Sequence, residues 1–149
     1  MKATQMSIDL EPVFPIRIHV GFKDIEAFEK YIAVEISEES TKCHIKGIRK
    51  HETSAAALYT YKNGTFSIFI YDNENKPRVY LEEIIPHEVF HITMRICNHL
   101  GITYSIESEE VFAYINGYIN SVILSNREMY EGSEVESSEP KSKKVKTLS

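Results

Sequence analysis

The stretch IIPHEVFHITMRICNHLG, residues 84–101, contains two histidines four positions apart with a glutamate directly after the first. Its apolar residues recur at intervals of three and four, which is the spacing of an amphipathic helix, and the helical pattern spans residues 79–99. Pro86 has no backbone N–H to donate, so the regular helix is expected to begin near it. Gly101 is expected to end the helix, because glycine is common just after a helix C-terminus. The stretch therefore predicts one long helix that carries three polar residues among apolar ones.

His87 and His91 stand at positions i and i+4, so a helix projects both side chains from one face, close enough to share one tetrahedral ion. Glu88 is offset from His87 by about 100°, which places its carboxylate beside such an ion, where it can accept a proton from water. Leaving these side chains buried without partners would cost on the order of several kcal/mol. The pattern therefore favours a zinc site over an ordinary helix surface, with a third ligand from elsewhere in the chain.

The rest of the chain predicts both strands and helices. A period-two pattern indicates a strand at 13–20, and a short amphipathic helix follows at 23–34 with Asp24 as its cap. An acidic loop is expected at 35–40 and a weak strand at 43–50. Two β-rich runs over 57–71 predict a hairpin, with Asn63 and Gly64 in a two-residue type I′ turn.

A last helix is expected within 105–126, capped by Ser105 or Ser108. Its predicted core stripe consists of Val111, Ile115, Ile119 and Val122. After Asn126 the chain loses its apolar residues and becomes an acidic block followed by a basic one, which is typical of a disordered tail. We therefore predict one α+β domain over residues 1–126 and a charged tail over 127–149.

Composition narrows the function classes. The chain has 149 residues, 42% of them hydrophobic, which is enough for one domain with its own core. A net charge of -5 argues against a broad nucleic-acid interface, so no nucleic-acid partner is expected. No apolar stretch is long enough for a leader or a membrane span, and Cys43 and Cys97 lack a paired spacing. These features predict a cytoplasmic protein without a membrane partner, and they leave its oligomeric state open.

HEVFH, residues 87–91, matches the HExxH pattern, and here the chain resembles the zincin metallopeptidases, in particular the gluzincin branch. In that branch the third zinc ligand is a glutamate on the following helix, with a small residue three positions later. The segment EEVFAY carries Ala113 at that spacing, so the resemblance implies Glu110 as the third ligand and not Glu109. Tyr114 departs from the aspartate that many gluzincins have there. The chain is also similar, over 55–120, to small metallopeptidases carried in phage genomes.

The resemblance implies a minimal zincin-like fold, with a small twisted sheet packed on the HExxH helix and on a following ligand helix. It implies a Zn²⁺-dependent hydrolase acting on a peptide or protein, with His87, His91 and Glu110 holding the metal and Glu88 as the general base. An edge strand beside the metal, from 55–61 or 65–71, would bind the substrate backbone. Candidates for stabilising the oxyanion are Tyr59, Tyr61, Tyr104 and Tyr114. The alternatives are a non-catalytic binding protein in which zinc staples the two helices, and a zinc hydrolase acting on a non-peptide substrate.

Overall fold

A computed structural model describes residues 4–51, 56–60, 64–71 and 79–130 of the chain. These residues form four strands and four helices, which confirms the predicted α+β class. In chain order the elements are β1 (Gln5–Asp9), β2 (Arg17–Phe22), α1 (Ile25–Ala33), α2 (Glu38–Arg49), β3 (Ala56–Thr60), β4 (Thr65–Ile70), α3 (Val79–His99) and α4 (Glu109–Ser125).

The four strands make one mixed sheet in the order β1-β2-β4-β3. β2 and β4 pair in parallel at its centre, while β1 and β3 pair antiparallel on the two outer sides. Side chains alternate between the two faces, so each face has its own layer of helices. α3 and α4 cover one face through a core that includes Ile18, Val20 and Ile68, and α1 and α2 cover the other around Phe28 and Phe69.

Local signals set the helix ends as expected in two places. Asp24 caps α1, because its side chain accepts a hydrogen bond from the backbone N–H of Ala27. α3 ends at Gly101, whose φ is +74°, with a hydrogen bond of 2.8 Å from the N–H of Ile102 to the carbonyl of Cys97. This is the Schellman arrangement, and a residue with a Cβ would be strained at the glycine position.

The weak strand predicted at 43–50 is wrong, because residues 43–49 lie in helix α2. The acidic loop predicted at 35–40 is confirmed for 35–37 and wrong for 38–40, which begin α2. Ser37 caps this helix, and the acidic residues that suggested a loop occupy its first turn, where the helix dipole favours negative charge. The buried positions, spaced by three and four residues, are Ser40, Thr41, His44, Ile45 and Ile48. Three of these five residues are polar, so the helical spacing was hidden from a search for apolar periodicity.

The strand predictions were partly right. The strand expected at 13–20 begins and ends later, as β2, and it pairs with β1, which was not predicted. The hairpin is confirmed by the antiparallel pairing of β3 with β4. Thr60 pairs with Phe66, and the predicted two-residue turn falls mainly on residues that the structure does not describe. Gly64 has the expected positive φ, and residues 61–63 lie outside the described ranges.

In α4 the buried stripe is Phe112, Ile115, Ile119 and Ile123, so Val111 and Val122 are only partly buried at its margin. Ser108 is the N-cap residue. Beyond the predicted domain end, Met129 and Tyr130 still pack against the core, and the rest of the predicted tail lies outside the described residues.

Within the described part of the chain, no helix has the length and apolar character that crossing a bilayer demands.

A row of polar side chains crosses the sheet on the face covered by α1 and α2. Ser7 pairs in register with His19, His19 with Ser67, and Ser67 with Tyr59. The Ser7 hydroxyl lies 3.0 Å from Nδ1 of His19, and the Ser67 hydroxyl lies 2.5 Å from Nδ1 of His44. Both imidazoles are fully buried.

Burial of His44 makes stability dependent on pH. Burial, and to a lesser extent the neighbouring His19, lowers the pKa of His44 to about 4. In the unfolded chain a histidine has a pKa of about 6.5, so between these values the unfolded state binds a proton that the folded state does not. We therefore expect His44 to cost about 3 kcal/mol of the free energy of unfolding as the pH falls to about 4.

Urea unfolding of wild type and His44→Gln between about pH 7 and about pH 4.5 measures this effect. The variant should lose less stability on acidification than wild type does. His51→Gln is the control, because His51 is exposed and should leave the slope unchanged. Equal slopes for wild type and His44→Gln would contradict the assignment.

Two helical glycines offer a second test of the packing. A Cβ on Gly47 of α2 would lie 2.1 Å from Cδ2 of Tyr59, whose ring packs directly over the glycine. A Cβ on Gly117 of α4 would meet no atom within 4 Å. Gly47→Ala should therefore destabilise the protein by about 1–3 kcal/mol, whereas Gly117→Ala should stabilise it by about 0.5–1 kcal/mol through helix propensity. Thermal unfolding of the two variants measures both effects, and stabilisation by Gly47→Ala would contradict the predicted packing.

Candidate metal centre

The apolar stripe of α3 packs against the sheet and sets the direction of every other side chain on the helix. Its buried residues are Leu81, Ile84, Ile85, Val89, Ile92, Thr93, Ile96 and Cys97. His87 and His91 lie on the opposite face and are exposed. The expectation that apolar neighbours bury the two histidines is therefore wrong, because those neighbours point to the other side of the helix. A metal is not needed to compensate for buried imidazoles.

The two imidazoles nevertheless converge. Nε2 of His87 lies 3.2 Å from Nε2 of His91, and the ring centroids are 4.8 Å apart. Zinc binds histidine nitrogen at about 2.0–2.1 Å, so one ion bound to both Nε2 atoms would see them at an angle of roughly 100–106°. This angle is close to tetrahedral. The separation of the two Nε2 atoms is thus compatible with two ligands of one Zn²⁺ ion.

Glu88 is partly buried at the border between the apolar and exposed faces of α3. Thr93, whose hydroxyl lies 3.4 Å from Oδ1 of Asn116, marks the flank of α3 that faces α4. Glu88 lies on the opposite flank, away from α4. It follows His87 directly and precedes His91 by three residues, so its side chain neighbours the histidine pair on the helix surface.

The structure does not bring Glu110 to the histidine pair. Two contacts set the antiparallel register of the helices: Asn116 lies against Thr93, and Arg127 makes a 3.2 Å ion pair with Glu82. This register puts Glu110 level with residue 99, which is roughly 18 Å along the helix axis from His87 and roughly 12 Å from His91. A shared first coordination shell is impossible at these separations.

No other residue of α4 replaces the missing ligand. The positions level with the histidine pair are about 118–122, and the sequence has no Asp, Glu, His or Cys between Glu110 and Glu128. Over the described ranges, no group of three or more His, Cys, Asp and Glu side chains is arranged to hold a metal ion. The described residues therefore supply two candidate protein ligands, both on α3. A zinc ion that linked α3 to α4 would have no ligand on α4.

The described tyrosines that were suggested for the oxyanion make their ring contacts with other residues than His87 and His91. Tyr59 packs on His44, with ring centroids 4.7 Å apart, on the face of the sheet away from α3. Tyr114 is exposed and stacks on Tyr118, and Tyr104 packs on Phe112. Tyr61 lies outside the described residues.

A pocket that the sequence did not predict lies between α3 and α4, and Phe90, the residue before His91, is part of its lining. Its volume is about 350 Å³, and its lining includes Phe90, Met94 and Glu109. Phe90 is 59% exposed, although it stands in the apolar run of HEVFH. The signal that would have found it is the helical wheel, because Phe90 and Met94 share one flank of α3, off the stripe that faces the sheet.

Comparison of this chain with models of known protein families, with curated proteins and with solved structures found no match.

The histidine geometry predicts zinc binding that needs both imidazoles. His87→Ala or His91→Ala should weaken Zn²⁺ binding at least tenfold, because either change removes one of two convergent ligands. Glu110→Gln should leave affinity unchanged, since its carboxylate lies too far along the helix. Isothermal titration calorimetry with ZnCl₂ measures these affinities.

His99→Ala is the matched control, because His99 is exposed on the same helix but lies about two turns beyond the pair. All four variants should remain folded without metal, since each replaces an exposed side chain. A loss of zinc binding in Glu110→Gln would contradict the conclusion that the register of α3 against α4 keeps Glu110 away from the metal.

Proposed function

We propose that this protein is a zinc-dependent peptidase whose active centre is the exposed face of α3. The observation that carries the proposal is the 3.2 Å separation of the two Nε2 atoms of His87 and His91. When bound there, Zn²⁺ would act as a Lewis acid that polarises a carbonyl group and lowers the pKa of water. The pair is open to solvent, so a polymeric substrate has access to it.

Glu88 is the general base in this proposal. Its side chain is partly buried and neighbours the imidazoles on the flank of α3 away from α4. It accepts a proton from the attacking water and returns it to the amine of the leaving peptide. Glu88, His87 and His91 all project from α3, so one helix fixes the relative positions of the three side chains.

An edge strand favours peptides over other electrophiles as substrates. β3 is at the end of the sheet order, and it pairs with β4 alone among the described strands. β4 is paired on both sides, so the segment 65–71 is not open to an added strand. An extended peptide can therefore add to β3, which contacts the helix that carries the histidines.

The cytoplasm is the compartment we propose for this activity. Cys43 and Cys97 are both free thiols, and Cys97 is buried in the core where burial raises the pKa of its thiol. A thiol held in its neutral form is poorly nucleophilic and suits a reducing environment.

Replacing the base without removing the metal ligands tests the proposal. Glu88→Gln keeps the size of the side chain but cannot accept a proton, so hydrolysis of peptides by the zinc-loaded protein should fall by about 10²-fold or more. Zinc affinity and melting temperature should stay at the wild-type values. Mass spectrometry of a peptide library after incubation measures cleavage.

Glu83→Gln is the matched control, because Glu83 is an exposed glutamate on the same helix, one turn before His87. It should retain wild-type cleavage. If wild type and Glu88→Gln cleave no peptide or protein at any zinc loading, the peptidase proposal fails, even where zinc binding through the two histidines is found.

A further inference from the structure

The pocket between α3 and α4 is lined mainly by apolar and aromatic side chains. Phe112 and Thr93 are buried at its base, while Phe90 and Tyr104 are exposed at its rim. The ring of Tyr104 meets that of Phe112 edge to face, with centroids 5.1 Å apart. Aromatic side chains thus lie at both the base and the rim of the slot.

One residue of the slot lies next to the histidine pair. Phe90 is the residue before His91, and their ring centroids are 6.2 Å apart. A peptide held at the histidine pair therefore lies close to Phe90, which lines the slot. A substrate side chain close to the reacting bond is therefore the natural occupant.

Charge determines which side chain fits. Among the described residues that line the slot, Glu109 is the charged one, and it is exposed at the first turn of α4. The surrounding surface has the same sign, since residues 79–125 contain six glutamates and one arginine. An acidic side chain would be repelled here, whereas a cation gains a carboxylate partner and aromatic neighbours.

We propose that the slot between α3 and α4 is a specificity pocket for an arginine or lysine side chain of the peptide substrate. The aliphatic stem packs between Phe90 and Phe112, and the cationic head stays hydrated at the rim, where it pairs with Glu109. This assignment rests on the proposed function, because its occupant is a side chain of the peptide substrate bound at α3. The proposal concerns peptide recognition, so peptide binding can be measured without cleavage.

The test uses end-blocked alanine peptides with a central arginine, leucine or glutamate, titrated into the full-length protein with and without Zn²⁺. Residue-resolved NMR gives both the dissociation constant and the amides that shift. The arginine peptide should bind about three- to tenfold more tightly than the leucine peptide, which is the range of one exposed ion pair with cation–π support. The shifts should centre on Phe90, Met94 and Ala113.

Glu109→Gln should reduce the preference for arginine over leucine to within about twofold. Glu110→Gln is the matched control, because it removes the same charge one residue away from a side chain that does not line the slot, and it should keep the preference. Tighter binding of leucine than arginine, or an arginine preference that survives in Glu109→Gln, overturns the proposal.

The two proposals fail separately. An arginine preference that depends on Glu109, in a protein that cleaves no peptide, supports the pocket and rejects the peptidase. Cleavage that depends on Glu88, with equal rates and affinities for arginine and leucine peptides in wild type, supports the peptidase and rejects the pocket.

Discussion

Packing of the apolar stripe of α3 against the sheet is the constraint on which the remaining structure depends. Residues such as Ile85, Val89 and Ile92 are almost completely removed from water, and burying each side chain of this size contributes about 1.5–3 kcal/mol. Because successive residues are rotated by 100°, this burial also turns His87 and His91 outward. The position of the histidine pair is thus a consequence of hydrophobic packing on the opposite face of the helix.

The two faces of the sheet serve different purposes. The face toward α3 and α4 is dry and lined by residues such as Ile18 and Ile68, which hold the helix of the histidine pair in place. The other face carries the polar row of Ser7, His19 and Ser67, buried under α1 and α2. Hydrogen bonds within this row satisfy most of its polar atoms and specify one packing of the helices, since a shifted register would leave those atoms without partners.

Charge is also divided between the layers. The exposed side of α2 carries Lys42, Lys46, Arg49 and Lys50, whereas α3 and α4 are predominantly acidic. An acidic surface around an exposed histidine pair raises the local concentration of cations, both metal ions and basic peptides. The same distribution makes the slot beside Phe90 complementary to a basic side chain, with Glu109 as its local partner.

The sequence by itself determined whatever depends on neighbours within a few residues. The i, i+4 spacing of HEVFH brings the two Nε2 atoms together, Asp24 and Gly101 set helix ends, and the pairing of the hairpin strands follows from their adjacency. The tertiary structure decided whether His19 and His91 are buried or exposed, and where Glu110 lies. These outcomes depend on how each helix is rotated and aligned against elements that are distant in the chain. A local sequence pattern does not specify that alignment.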